Sequence, residues 1–323
     1  MNAKKVLLAS LCVGLFATGA STATASVIAF DMNLDATTDY SGSVTNVERI
    51  QFGLNTQTFQ YVQDPTNPLQ EGDVFYDRGY GDASAFRTPL DAAAPQSGPD
   101  FIGATYSMGL LWDELRGVVT GTNTVGDNFV VNANYTSVGT DNFQLFMSDL
   151  SPGFGQDYEG AAAHYSAGEQ VMELALKSGN SILEFQEQGG QFIEGTFTFE
   201  FQVVNVLPGF WFTADGIDFA DLLEDEDGAP TFMVSAFASA GTIQEPPPVT
   251  FFGGDANDIF GTEREGQTLF SETQSRHDGS LRFAVPEPGT LALMGLSLLM
   301  LAGFIGVGGM RRRSANDDRQ AAA

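Results

Sequence analysis

The segment GTFTFEFQVVNV at positions 195–206 constrains the fold more than any other part of the sequence. Bulky apolar residues recur at every second position, and Thr, Glu and Gln stand between them; the apolar set is Phe197, Phe199, Phe201 and Val203. Successive side chains of a β-strand point to opposite faces, so this period of two predicts a strand with one buried and one solvated face. Half-buried strands of this kind are typical of antiparallel sheets.

Six further segments are rich in β-branched and aromatic residues and predict additional strands. They are TQTFQYVQ, FVVNANY, DNFQLFMSDL, NSILEFQEQ, TFMVSAFASAG and GSLRFAV. In DNFQLFMSDL the predicted buried face holds Phe143, Leu145 and Met147. Clusters of Gly, Asn, Asp and Pro separate the segments, as expected of turns. Many short strands with turns between them predict an all-β fold, an antiparallel sandwich or jelly-roll-like domain.

Two regions of this domain are open to different interpretations. SAGEQVMELALKSG predicts either a short helix with Ser166 as N-cap and Gly179 beyond its end, or a strand that begins at Val171. The 27 phenylalanines stand largely at alternating positions, which favours core packing over a sugar-binding surface. The sequence around Trp112 does not indicate whether its side chain is buried or exposed. Trp211 stands among the turn residues of PGFWFTADG, which favours an exposed side chain.

The N-terminus has the three parts of a secretory signal peptide. Lys4-Lys5 forms a short positive region, an apolar stretch runs from Val6 to Ala17, and Ala23-Thr24-Ala25 predicts the cleavage site. The first 25 residues are therefore expected to be removed, with Ala23 and Ala25 marking the cleavage signal. Because the single cysteine, Cys12, leaves with them, the mature chain is expected to contain no disulfide or thiolate metal site.

The C-terminus carries a second apolar segment, long enough to cross a membrane. Leu291–Met310 contains twenty residues without a charge. At about 1.5 Å per residue, a helix of this length spans about 30 Å, the thickness of a bilayer's hydrocarbon core. Arg311, Arg312 and Arg313 follow directly, and the positive-inside rule predicts that they stay cytoplasmic. Residues 314–323 would then form a cytoplasmic tail, and the acidic β-rich domain of residues 26–284 would lie outside.

A short proline motif, Val285-Pro286-Glu287-Pro288, stands just before this transmembrane helix. Proline lacks a backbone donor and pushes the preceding residue towards extended structure, so we expect Val285, Pro286, Glu287 and Pro288 to be extended and exposed. The order of motif, apolar span and arginine cluster resembles the PEP-CTERM sorting signal, and the resemblance covers residues 285–313. One departure is the ten residues after the arginines, which make a longer tail than is usual in that family.

This resemblance implies export from a Gram-negative bacterium and processing of the tail by an exosortase. The protein would pass through the inner membrane on its way to the cell surface or the extracellular matrix. The mature start SVIAFDMNLD and the Phe-rich strands also look similar to the flocculation-associated group of PEP-CTERM proteins. That likeness implies association with exopolysaccharide, in a biofilm or floc.

The charge of the exported part excludes one class of partner. The whole chain has a formal net charge of −27, and residues 26 to 285 hold eight Lys or Arg against 38 Asp or Glu. Such a surface repels phosphate backbones and anionic lipid, so nucleic acid is not expected as a partner. Divalent cations suit it better.

Calcium is the one cofactor for which the sequence offers candidates, although no cofactor is the primary expectation. GGDANDIFG resembles a single copy of the RTX calcium-binding nonapeptide, and DLLEDEDGAP concentrates carboxylates before a glycine. Calcium takes several hard oxygen ligands at once, and neither segment supplies a complete set alone. A solvated acidic loop is the alternative for both. The candidate ligands are Asp255, Asp258, Glu224, Asp225 and Asp227.

Catalytic motifs are not evident. The two histidines, His164 and His277, lie far apart in unlike surroundings, and we expect both to be ordinary surface residues. The sequence holds no nucleophile elbow, H-E-x-x-H or phosphate loop. The favoured function is therefore a non-enzymatic surface or matrix protein. The alternative is a secreted β-sandwich hydrolase or lectin that acts on polysaccharide, and a set of buried carboxylates in a cleft would favour the hydrolase.

Overall fold

A computed structural model describes most of the chain between residues 27 and 284. The described residues are 27–32, 42–97, 106–137, 143–149, 157–186, 188, 192–223, 235–243, 249–251 and 263–284. In these residues the chain forms fifteen strands and two short helices, and the paired strands are antiparallel. The all-β prediction is therefore confirmed.

The elements follow one another along the chain with few helical interruptions. They are β1 (Ile28–Asp31), β2 (Ser43–Val47), β3 (Arg49–Val62), β4 (Val74–Arg87), β5 (Gln96–Ser97), β6 (Tyr106–Val125), β7 (Asn128–Ser137), β8 (Phe143–Asp149), α1 (Tyr158–Ser166), β9 (Glu169–Phe185), β10 (Phe192–Val206), β11 (Trp211–Thr213), α2 (Phe219–Leu223), β12 (Ser235–Ile243), β13 (Val249–Phe251), β14 (Glu263–Arg264) and β15 (Gln267–Ala284).

The larger sheet closes on itself. Its strands pair in the order β10-β12-β15-β3-β4-β6-β7-β9, and β9 pairs again with β10. These eight strands are called the strand ring below. The pairing differs from that of two sheets facing each other, because every one of the eight strands has a hydrogen-bonded neighbour on both sides.

Strands β7 and β8 share the gap between β6 and β9. The C-terminal half of β6 and that of β9 pair with β7, whereas their N-terminal halves pair with β8. The twenty residues of β6 are long enough to reach both partners. The ring is therefore closed by β7 at one end and by β8 at the other.

The alternation in the sequence sets which side chains enter the ring. In β10, Phe201 and Val203 are buried on the inward face, whereas Thr198 and Glu200 are exposed on the outer face, as predicted. In β8, the predicted inward set of Phe143, Leu145 and Met147 is also buried. Register pairing then carries the inward face around the ring from strand to strand.

A second, four-stranded sheet in the order β11-β1-β2-β5 packs against the strand ring through aromatic residues. Phe30 of β1 contacts Phe86 of β4 at 4.9 Å between ring centroids, and Trp211 of β11 contacts Phe283 of β15 at 5.8 Å. The prediction of an exposed Trp211 was wrong. Its side chain is fully buried, and its Nε1 donates a hydrogen bond to the carbonyl oxygen of Val171 at 2.8 Å.

The helical interpretation of SAGEQVMELALKSG was also wrong. Residues Glu169–Phe185 form β9, in agreement with the alternative strand reading, and a helix that was not predicted precedes it. This helix, α1, begins after Asp157, whose side chain accepts a hydrogen bond from the Gly160 amide. It packs on the outer face of the ring, where Ala161 and Tyr165 join a buried cluster with Tyr80. An N-cap aspartate is the signal that marks its start.

The chain divides into two units after Ala284, Met1–Ala284 and Val285–Ala323. Among the described residues, no helix is long and apolar enough to cross a membrane. The predicted transmembrane helix Leu291–Met310 and the predicted signal peptide lie outside those residues.

Candidate binding site in the strand ring

Aromatic side chains from opposite walls of the strand ring meet in its interior. Phe197 of β10 contacts Tyr135 of β7 at 6.0 Å on one side and His277 of β15 at 5.5 Å on the other, measured between ring centroids. Phe143 stacks on Trp112 at 5.4 Å and contacts Phe199 at 6.1 Å. These contacts connect β6, β7, β8, β10 and β15 through one inward cluster.

Three polar side chains enter this aromatic interior. Strand register pairs Asp77 of β4 with Thr58 of β3, and it pairs Gly79 with Trp112 of β6. His277 enters from β15, where its Nε2 lies 2.7 Å from the Ser275 hydroxyl. Asp77, Trp112 and His277 are each more than nine-tenths buried.

One atom in each of these three side chains lacks a hydrogen bond within the described part of the chain. The atoms are Asp77 Oδ1, Trp112 Nε1 and His277 Nδ1. Native proteins pair the large majority of buried polar groups, because an unpaired group keeps its desolvation penalty without compensation. Three such atoms on side chains that enter one aromatic interior therefore make this interior a candidate binding site.

Burial sets the protonation of the two titratable members of this group. Desolvation raises the pKa of Asp77 to about 7, and the hydrogen bond from the Thr58 hydroxyl offsets only part of that rise. Desolvation also lowers the pKa of His277 to about 4, so this ring is neutral at pH 7. Near neutral pH the interior therefore contains a neutral imidazole, an indole N–H and a carboxyl group that is close to its pKa. Protonated and ionised forms of that carboxyl group coexist there.

The expectation that both histidines are surface residues was wrong for His277, which is only 6% exposed. His164 of α1 is half-buried, and its Nε2 lies 3.3 Å from the Ser148 hydroxyl. Ser148 is in turn 3.1 Å from the Ser107 hydroxyl, and both serines are buried. A serine nucleophile must reach its substrate, so this buried arrangement fits a structural role between α1, β6 and β8.

Glycoside hydrolysis uses two carboxyl groups on either side of a substrate. Two carboxylates are buried in the part of the chain that the structure describes, Asp73 and Asp77. Asp73 accepts hydrogen bonds from the amides of Gln63 and Gln70 and so stabilises the turn between β3 and β4. Asp77 alone enters the interior of the ring, and no partner carboxylate is buried with it there among those residues.

The outer side of β7, β9 and β10 carries a patch without charged side chains. Two rows of neighbouring residues cross the three strands, and all six side chains are exposed. Five of them are amides or hydroxyls and one is aliphatic, and we call the patch the neutral face: Asn132, Asn134, Asn180, Ile182, Thr196 and Thr198.

The site residues expected from the sequence lie outside the described residues, so the structure brings none of them together. They are Val285, Pro286, Glu287, Pro288, Arg311, Arg312, Arg313, Ala23, Ala25, Asp255, Asp258, Glu224, Asp225 and Asp227. Within the ranges that the structure does describe, no group of three or more His, Cys, Asp or Glu side chains is placed to hold a metal ion.

The sequence did not lead to a prediction of the inward polar side chains around Asp77, although a pattern in β15 indicates one of them. Leu281 and Phe283 end β15 with a period of two, and counting back along that period reaches His277.

Comparisons of the chain with protein-family models, with curated proteins and with solved structures gave no match.

Proposed function

We propose that this protein is an exported, non-enzymatic surface or matrix protein that an exosortase sorts and that associates with exopolysaccharide. The observation that carries the proposal is the order of residues in the tail: a Pro-Glu-Pro motif, the twenty uncharged residues Leu291–Met310 and three arginines. The proposed route is export from a Gram-negative bacterium, transit through the inner membrane and release to the cell surface or matrix.

The position of the last strand supports processing at the motif. β15 ends at Ala284, and Val285-Pro286-Glu287-Pro288 follows at once. Cleavage within the motif would leave every described strand whole, including all pairings of β15 with β3 and β12. The strand ring would therefore keep its closure after the tail is removed.

The neutral face supports association with a polysaccharide. Amide and hydroxyl side chains form hydrogen bonds with sugar hydroxyls, and the aliphatic Ile182 offers an apolar contact to a sugar ring. The six side chains themselves carry no charge that would repel an acidic polysaccharide. Among the described residues, Asp77 is the one carboxylate buried inside the ring, whereas glycoside hydrolysis uses two, so we keep the hydrolase or lectin as the alternative.

The polysaccharide part of the proposal is tested by adding charge to the neutral face. We expect the double variant Asn134→Glu and Thr198→Glu to bind isolated host exopolysaccharide about tenfold more weakly, because two hydrogen-bonding groups are replaced by charges. Co-sedimentation of the protein with the polysaccharide measures this. The control variant Thr122→Glu and Thr124→Glu adds the same charge to exposed positions of β6 outside the face. Equal binding by both variants would contradict this role of the neutral face.

A further inference from the structure

We infer that the interior of the strand ring binds a small, neutral molecule with a flat apolar body and a hydroxyl group. This inference does not rest on the proposed surface function. It rests on three buried atoms that lack hydrogen bonds in the described residues, Asp77 Oδ1, Trp112 Nε1 and His277 Nδ1, and on the aromatic side chains around them.

The three atoms belong to one region of the interior. The indole of Trp112 lies over Gly79, where a Cβ atom would collide with it. Gly79 is two residues from Asp77 on the same face of β4, so Trp112 and Asp77 are neighbours along one wall. Burial raises the pKa of the Tyr135 phenol, and Asp77 is close enough to raise it further. Tyr135 and His277 both contact Phe197.

Several inward side chains of the ring are not fully buried. Phe197 and Phe199 face inward and contact side chains of β7, β8 and β15, but both remain partly exposed. Thr58 and Ser275, which also face inward, are partly exposed as well. A fully packed core would bury these four side chains, so their partial exposure is the observation that points to unfilled space beside them.

The lining selects the chemistry of the occupant. Trp112 Nε1 can only donate a hydrogen bond, whereas an ionised Asp77 can only accept one. A hydroxyl group satisfies both, because it accepts from one partner and donates to the other. The rings of Phe143, Phe197 and Phe199 suit a flat apolar body, which aromatic side chains contact in stacked or edge-on geometry. An anion is disfavoured beside Asp77, and a cation would leave the Trp112 donor unpaired.

Three probes of similar shape separate these possibilities: 4-fluorophenol, 4-fluorotoluene and 4-fluorobenzylamine. Titration of each against the full chain, followed by ¹⁹F NMR line width and chemical shift, measures their affinities. We expect 4-fluorophenol to bind at least tenfold more tightly than either of the others. Absence of binding by 4-fluorophenol, equal affinity for 4-fluorotoluene or tighter binding of 4-fluorobenzylamine would each overturn the inference.

Two variants locate the site. Asp77→Val removes the acceptor, and Trp112→Phe removes the donor while it keeps an aromatic ring. Each is expected to weaken 4-fluorophenol binding about tenfold and to leave 4-fluorotoluene binding within about twofold, since one buried hydrogen bond is lost. The control Asp127→Val makes the same change at an exposed carboxylate in the β6–β7 turn. Because 4-fluorotoluene reports whether the interior is intact, unchanged 4-fluorophenol binding in both variants would place the site elsewhere and overturn the inference.

Discussion

Replacement of Trp211 with alanine is expected to lower the free energy of unfolding by about 3–5 kcal/mol, the range for loss of a large buried aromatic side chain. Trp211 is fully buried, contacts Phe30 at 5.3 Å and Phe283 at 5.8 Å, and hydrogen-bonds the Val171 carbonyl. It therefore joins the four-stranded sheet to β9 and β15 of the strand ring. Urea denaturation followed by circular dichroism measures the loss.

The matched control for this variant is Leu90→Ala. Leu90 is 91% exposed, so its truncation is expected to change the free energy of unfolding by less than about 0.5 kcal/mol. A loss of less than about 1 kcal/mol in Trp211→Ala would contradict the packing of the four-stranded sheet on the strand ring.

The second large effect concerns how the stability of the fold depends on pH, because Asp77 and His277 change it in opposite directions. Asp77 keeps its proton up to about pH 7 in the folded chain but loses it near pH 3.8 when unfolded, so its contribution to stability falls as pH rises through that window. His277 resists protonation down to about pH 4 when folded, whereas the unfolded ring protonates below about 6.5. Its contribution is therefore present above pH 6.5 and is lost as pH falls towards 4.

Substitution separates the two contributions. Between pH 4 and pH 8, the stability of Asp77→Asn relative to the unmodified protein is expected to rise by on the order of 4 kcal/mol, because the variant has no buried carboxylate to ionise. Over the same range, the relative stability of His277→Gln is expected to fall by on the order of 3 kcal/mol. Urea denaturation at several pH values measures both differences, and the other acidic groups cancel in the comparison. Differences that do not vary with pH would show that neither side chain is buried as described.

The parts of the fold that the sequence predicted are those set by local alternation. β10 buries its inward face and exposes its outer face, whereas β8 buries its inward face inside the ring and packs its outer face against other residues. A period of two therefore predicted the correct inward residues, among them Phe201 and Leu145. β4 gave no such signal, because its residues from Val74 to Gly81 are buried on both faces. Asp77 stands in that stretch, and nothing local distinguishes it from a polar residue of a loop.

The closure of the sheet depends on pairing between distant segments. The neighbours of β15 within the strand ring are β3 and β12, and the first of these lies more than 200 residues earlier in the chain. Trp211 was misplaced for the same reason. Turn residues flank its three-residue strand, and only the pairing of β11 with β1 brings it into the core. Local composition therefore predicted several of the strands but not the interior that they enclose.

The measurement that tests the proposed function most directly is the intact mass of the protein from the surface of its native host. The sorting account predicts a chain that begins at Ser26, after Ala25, and ends within or directly before Val285-Pro286-Glu287-Pro288. Peptides that span Phe283 to Met310 should then be missing from a digest of the same surface fraction. Mature surface protein that still carries Leu291–Met310 and Arg311, Arg312 and Arg313 would contradict it.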